Sequence, residues 1–292
     1  MIPKLLQRLF QKLAAPKFPA GQAGDFLSEV AGSPELSANL FNKVVEKVLK
    51  KNHRTVFWGD RLLTLDKNMG FLENKKFRKA FERIRGSHTY DQYGDNDTVA
   101  WRLHTLIWAA KNALKLDGDF VECGVFKGDF SWVITQATEF LSSGKQFYLY
   151  DTFEGFSEKY SSPEDFDNDM GFWQLSRDTY QVPGLYGSVC KRFSEMKQIK
   201  VVKGDVPDSL KQAAPERIAY LHLDLNSPKA EIGALEILFD RVVPGGVIVF
   251  DDYGWKIFHK QKEAEDRFML DRGYEILELP TGQGLMIKRA VN

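Results

Sequence analysis

The alternation of apolar and polar positions changes rhythm near residue 118. Downstream, short apolar runs alternate with longer amphipathic stretches. DFVECG, QFYLYD, IKVVKGD, RIAYLHLD and GGVIVFDD have the length and apolar density of buried strands. Helical stretches fall between them at about 128–141, 176–197, 207–213 and in KAEIGALEILFDRV, and a further helix is expected at about 257–272. Two last apolar runs, YEILELP and GLMIKRA, flank PTGQ and predict an antiparallel hairpin. Strands that alternate with helices predict an α/β fold with a doubly wound, mostly parallel sheet. The hairpin brings the count to seven strands.

Upstream the pattern is helical, with no convincing strand. MIPKLLQRLFQKLAA sets Leu5, Leu6, Leu9, Phe10 and Leu13 on one side of a helix and Lys4, Arg8 and Lys12 on another. Such a helix packs on a protein surface or lies on a membrane surface, so residues 1–15 are the candidate peripheral contact. PKFPAGQAG, residues 16–24, reads as a linker. Leu36, Leu40, Val44, Val45 and Val48 form a stripe within a helix over 33–53, with Ser33 or Ser37 as cap. A basic helix is expected over 71–85. SHTYDQYGDND is turn-rich, and TVAWRLHTLIWAAKNALKL is a helix capped by Asp97 or Thr98. Trp101, Trp108 and Trp132 fall in helices and are expected in the core. The domain reading is an N-terminal helical extension over 1–96 and a catalytic domain over 97–292. An acidic, aromatic insertion over about 152–190 is expected to form a lid.

Composition narrows the class only a little. Forty Lys+Arg balance forty Asp+Glu in 292 residues, which disfavours a nucleic-acid binder. No run reaches the roughly 18 apolar residues of a transmembrane span. Cys123 and Cys190 supply neither a disulfide framework nor zinc spacing, so a reducing, cytoplasmic setting is expected.

The candidate chemistry lies at strand ends. Asp224 closes IAYLHLD, and Asp251 and Asp252 close GGVIVFDD. In an open α/β sheet the carboxyl ends of the strands form the ligand edge. Three hard oxygen donors there suit Mg²⁺, and a bound divalent ion lowers the pKa of a hydroxyl. Asp251 as a turn cap and Asp252 as a solvated residue is the plainer alternative. ECGVFKG supplies Glu122, Gly124 and Gly128 at a strand-to-helix turn, where a ligand can approach the backbone. Its spacing is G-x-x-x-G and not the dinucleotide G-x-G-x-x-G. Asp151 and Asp205 end the next two strands, as ribose and adenine contacts or as helix caps. His222 and His259 are alternative bases, although a structural histidine on the apolar strand is the simpler reading of His222. Aromatic residues of the insertion, among them Phe156, Phe166 and Trp173, either stack on an acceptor or form the lid's own core.

ECGVFKG, YDTFEGF, VVKGDVPDSL, IAYLHLDLN and PGGVIVFDDYG occur in an order and spacing that resemble the macrocin O-methyltransferase (TylF type) family over roughly residues 97–290. The terminal hairpin is likewise the arrangement of class I S-adenosylmethionine-dependent methyltransferases, a Rossmann-like fold. The resemblance implies S-adenosylmethionine as donor, Mg²⁺ or another divalent cation, and a hydroxyl of a small or sugar-bearing molecule as acceptor. It implies donor contacts from Glu122, Gly124, Val125, Lys127, Gly128, Asp151, Thr152, Phe153, Asp205 and Asp224. It implies metal ligation by Asp224, Asp251 and Asp252, with Asp224 as base, and a homo-oligomer is expected. One departure stands out. The family commonly reads D-G-D-L-Y after the fourth strand, and this chain reads D-L-N-S-P, with Asn226 where the second acid would be. A donor-binding protein with little turnover is therefore the alternative expectation.

Overall fold

The computed structural model describes residues 45–85 and 99–290. The expected amphipathic helix 1–15, the linker, the polar loop and the Asp97 or Thr98 cap lie outside them. The described residues divide into two compact units, one of residues 45–58 and 63–68 and one of residues 59–62, 69–85 and 99–290.

The smaller unit is helical at Val45–Asn52, the described part of the expected helix 33–53. Strands β1 (Val56–Gly59) and β2 (Leu62–Leu65) then pair, which corrects the strand-free reading of the first third. Four-residue strands offer too short an alternation to stand out in a sequence window. In their turn, Asp60 and Arg61 both take left-handed φ, 52° and 57°, as a tight two-residue hairpin requires.

The larger unit carries a seven-stranded sheet. Its strands are β3 (Asp119–Cys123), β4 (Phe147–Asp151), β5 (Ile199–Lys203), β6 (Ile218–Leu223), β7 (Val242–Phe250), β8 (Leu277–Glu278) and β9 (Gly284–Ile287). The order is β5-β4-β3-β6-β7-β9-β8, with β9 antiparallel to β7 and to β8 and the other neighbours parallel. All six residues of β6 are buried, as a central strand covered by helices on both faces demands. The winding reverses between β3 and β6, and ligands of open α/β sheets bind at such a switch point. Gly124 shows how tightly the strand ends meet there. A Cβ on it would stand 1.8 Å from the Asp224 carbonyl oxygen.

The helices of this unit are α1 (Lys75–Phe81), α2 (Ala100–Ala113), α3 (Asp129–Ala137), α4 (Met170–Tyr180), α5 (Leu185–Phe193), α6 (Leu210–Ala213), α7 (Pro228–Leu238) and α8 (His259–Leu270). The single helix expected over 176–197 is two, α4 and α5. Pro183 and the left-handed Gly184 at the start of α5 break it. Leu103, Leu106 and Ile107 of α2 are buried, but Trp108 is 45% exposed, against the core expectation. It follows Ile107 by one residue and so turns away from the inward stripe. Trp101 and His104 pack on Phe71 instead. Phe166 and Trp173 of the insertion are buried together with Phe258 from the segment between β7 and α8, with Phe156 and Phe172 against them, so these aromatics form a local core that ties the insertion to that segment. Among the described residues no helix is long and apolar enough to cross a membrane.

Candidate active site

The carboxyl ends of β3, β4, β6 and β7 open into two adjoining cavities within the larger unit. The first, about 660 Å³, is lined by Asp151, Thr152, Phe156, Val206 and Asn226 among others. The second, about 540 Å³, is lined by Arg102, Glu122, Lys127, Asp251 and Asp252 among others. Gly124, Phe126, Tyr180 and Asp224 border both.

The glycine turn is held from below. Asp151 Oδ2 accepts hydrogen bonds from the backbone N–H of Val125 (2.6 Å) and of Phe126 (2.8 Å), while Oδ1 accepts from Phe153 N–H (2.6 Å). A carboxylate with three such donors braces the loop, and Asp151 caps no helix. Phe126 takes a left-handed φ of 47° here, and Gly128, at φ 74°, opens α3. A Cβ on Gly128 would meet the Phe193 ring at 2.8 Å. Asp205 does not line either cavity, but its neighbour Val206 does. Phe153 is buried against Tyr186 and lines a separate surface groove.

Glu122 is buried with both oxygens committed, Oε1 to His222 Nδ1 at 3.0 Å and Oε2 to the Ser131 hydroxyl. His222 Nε2 stops 3.8 Å from Asp251 Oδ1, an ion-pair distance rather than a hydrogen bond. Burial pulls the imidazole pKa down, but Asp251 and Glu122 outweigh burial and lift it to about 10. His222 turns one ring nitrogen to Glu122 and the other toward Asp251. His259 pairs with Asp167 at 3.3 Å at the surface.

Asp224, Asp251 and Asp252 each present a carboxylate oxygen within 4.8 Å of the others. Asp251 and Asp252 are 2% and 4% exposed, so neither is solvated. Asp251 caps no turn with its side chain, because its carboxylate accepts from Arg102 and from Gln283 Nε2 (2.9 Å). Burial opposes ionisation of Asp251, but Arg102 and His222 overcome it and hold the carboxyl below the usual range. Asp252 is pushed up by burial, which Arg102 only partly offsets. Asp224 is pushed well up by burial and by the charges of Asp251 and Asp252. Two buried carboxylates and the half-buried Asp224, all hard oxygen donors with too little positive charge between them, fit a divalent cation.

Three contributors were not singled out by sequence reasoning. Arg102 of α2 donates from Nη1 to Asp251 Oδ2 (2.5 Å) and Asp252 Oδ1 (2.7 Å). A charged residue on the apolar face of α2 was the available signal. Tyr180, last residue of α4, sits between the Phe126 and Phe156 rings and feels the charges of Asp224 and Asp252. Gln283 precedes β9 and no sequence pattern marks it. Asn226, left-handed at φ 55°, donates from Nδ2 to Asp224 Oδ1 at 3.1 Å, and its own Oδ1 is buried without a protein partner.

A family model described as macrocin O-methyltransferase (TylF) matches residues 37–275. The chain belongs to the macrocin O-methyltransferase family. The match begins well upstream of the span over 97–290 marked by the motifs. Mycinamicin III 3''-O-methyltransferase of Micromonospora griseorubida is 27% identical over 161 residues, 52% of this chain and 62% of that protein. An 8-demethyl-8-(2,3-dimethoxy-alpha-L-rhamnosyl)-tetracenomycin-C 4'-O-methyltransferase of Streptomyces olivaceus is 27% identical over 160 residues, 52% of this chain and 60% of that protein. The chain thus spans about three fifths of the length of these relatives. The solved structure of the O-methyltransferase NovP aligns over 88% of this chain and 100% of its own, at 17% identity and TM-score 0.54. The calicheamicin methyltransferase CalS11 aligns over 74% and 92%, at 16% identity and TM-score 0.50. These two likenesses establish the Rossmann-like methyltransferase fold for the sheet described above.

Proposed function

We propose that the protein transfers a methyl group from S-adenosylmethionine to a hydroxyl of a sugar-bearing small molecule, at a centre that holds a divalent cation, Mg²⁺ foremost. The observation that carries the reading is the pair of cavities joined at Gly124, Phe126, Tyr180 and Asp224. A group transfer between two bound molecules needs two compartments that meet at one point. In this reading the donor takes the cavity of Asp151 and Thr152, beside the glycine turn of Val125 and Gly128, with Val206, next to Asp205, in its wall. The acceptor takes the polar cavity of Lys127, Asp251 and Asp252. One relative is named for 4'-O-methylation of a rhamnosyl-bearing tetracenomycin, which supports a sugar hydroxyl as acceptor.

Asp224, Asp251 and Asp252 would hold the cation, which when bound lowers the pKa of a hydroxyl beside it. Asp224 borders both cavities and takes the proton as acceptor oxygen bonds to the methyl carbon. The carbon–sulfur bond breaks in the same step and the sulfur keeps the electron pair. The place of Asp224 at the wall between the two cavities supports its role as base. Gln283 and Arg102 hold the Asp251 carboxylate by hydrogen bonds.

Asn226 favours one second reading, a donor-binding protein with little turnover. An amide in place of a second acid removes one proton acceptor beside Asp224.

Calorimetric titration with S-adenosylhomocysteine, with and without Mg²⁺, followed by assay against glycosylated hydroxyl acceptors, tests both. Micromolar binding and cation-dependent methylation are expected. Binding without transfer to any acceptor would leave the second reading, and a folded protein that binds no S-adenosylhomocysteine would end both.

A further inference from the structure

A fixed cation among the ligands of a cation is at first sight a handicap, and Arg102 is one. It is 2% exposed. Its Nη1 donates to Asp251 Oδ2 and Asp252 Oδ1 at 2.5 and 2.7 Å. The rest of the fork faces Asp60, with Nε to Oδ2 at 2.5 Å and Nη2 to Oδ1 at 3.3 Å. Asp60 itself is buried, its side chain 6% exposed. It sits in the tight turn between β1 and β2, and the next residue, Arg61, places its guanidinium over the Trp255 ring at 5.2 Å. The guanidinium of Arg102 lies 5.3 Å from the centre of the same ring.

We propose that Arg102, clamped by Asp60, is the positioning residue that presets the Asp251–Asp252 pair and sets how tightly the centre holds its divalent cation. This rests on the cation reading above. Two adjacent buried carboxylates repel each other and resist joint ionisation without a counter-charge. Arg102 supplies that charge through one oxygen of each, so the two carboxylates are aligned before a cation arrives. The same charge opposes the cation and keeps its binding reversible. Asp60 does two things to Arg102. It fixes the guanidinium plane through a forked contact, and it neutralises part of the charge that Asp251 and Asp252 would otherwise feel.

Two substitutions therefore act in opposite directions. Arg102→Met removes the competing charge, so the cation binds more tightly. Asp60→Asn removes one carboxylate charge from Arg102, so more of its positive charge opposes the cation, which binds more weakly. Loss of structure alone would weaken binding in both.

The full-length protein is titrated calorimetrically with Mn²⁺ at pH 8 as wild type, Arg102→Met and Asp60→Asn. Thermal unfolding is recorded with Mn²⁺ and with chelator. A change on the order of tenfold in Kd is expected, tighter for Arg102→Met and weaker for Asp60→Asn, as one unit charge near a buried centre implies. Arg102→Met is also expected to unfold at a lower temperature in chelator and to gain more from Mn²⁺ than the wild type. Asp60→Asn keeps every other contact of Arg102, so its weakening remains a test if Arg102→Met does not fold. Shifts of both variants in the same direction, or no shift in a wild type that binds Mn²⁺, overturn the proposal and leave the cation reading standing. A wild type that binds no Mn²⁺ overturns the cation reading and the proposal with it.

Discussion

At the scale of single residues, the site depends on how closely two strand ends approach. A Cβ on Gly124 would meet the Asp224 carbonyl oxygen at 1.8 Å and its carbonyl carbon at 2.6 Å, and Gly124 has φ 88°. Both neighbours are backbone, so no rotamer change relieves the clash. Gly144 has a similar φ of 76°, with nothing within 4 Å of its Cβ position. Gly144→Ala should therefore lose only about 1 kcal/mol, the left-handed backbone cost. Gly124→Ala should lose more than about 3 kcal/mol or fail to fold, since it adds a core clash to the same cost. Chemical denaturation of the two variants checks the difference, and equal stabilities would mean the switch point is looser than its geometry. The glycine was legible in ECGVFKG as a place where backbone must be approached, but its reason was not, because Asp224 lies a hundred residues on. The strand-end aspartates were legible for the opposite reason, since each ends a local apolar run. Arg102 was hidden, because its partners stand 149 and 150 residues away and only the fold brings them.

At the scale of elements, α7 and α8 brace the two acidic loops from inside. Glu231 of α7 accepts Leu225 N–H at 2.7 Å, directly after Asp224. Gln261 of α8 donates from Nε2 to the Asp251 carbonyl oxygen (3.2 Å) and to Glu265 Oε1 (3.1 Å). Glu231 and Glu265 are both fully buried, and burial lifts both carboxyl pKa values, that of Glu231 to about 8. A folded-state pKa above the ordinary value of 4.5 means the folded protein holds the proton longer. The resulting stability is present below pH 4.5 and is lost as pH rises toward 8. Unfolding free energy should therefore fall with rising pH in this window. Glu231→Gln, which keeps a carbonyl for Leu225 N–H, should flatten that fall by at least about 1 kcal/mol. Denaturation at pH 5.5 and 8 for both proteins decides it, and parallel pH profiles would refute a buried proton on Glu231. Helix positions and the terminal hairpin were readable from periodicity. The α4–α5 break was readable in principle from Pro183 and Gly184, whereas β1 and β2 are too short to register.

At the scale of the whole molecule, the reversal of winding at β3 and β6 makes one carboxylate serve two compartments, because Asp224 lines both cavities. That architecture followed from the alternation of strands and helices, while the join between cavities needed Tyr180, delivered by the insertion. In the proposed reading the shared wall would make donor and cation binding interdependent, and any such coupling is reciprocal. Its sign follows from charge. S-adenosylmethionine carries a positive sulfonium, which would face the carboxylate that also serves the cation, and S-adenosylhomocysteine lacks that charge. The cation should therefore bind a few-fold more weakly with S-adenosylmethionine present than with S-adenosylhomocysteine present, as Coulomb interaction across a partly buried site implies. Titration of Mn²⁺ into the protein saturated with each, at fixed ionic strength, measures the difference. Equal affinities would separate the sulfonium from Asp224 and move the transfer point away from the shared wall. A weaker cation with the charged donor would instead mean that methyl transfer, by discharging the sulfonium, tightens the metal centre as product forms.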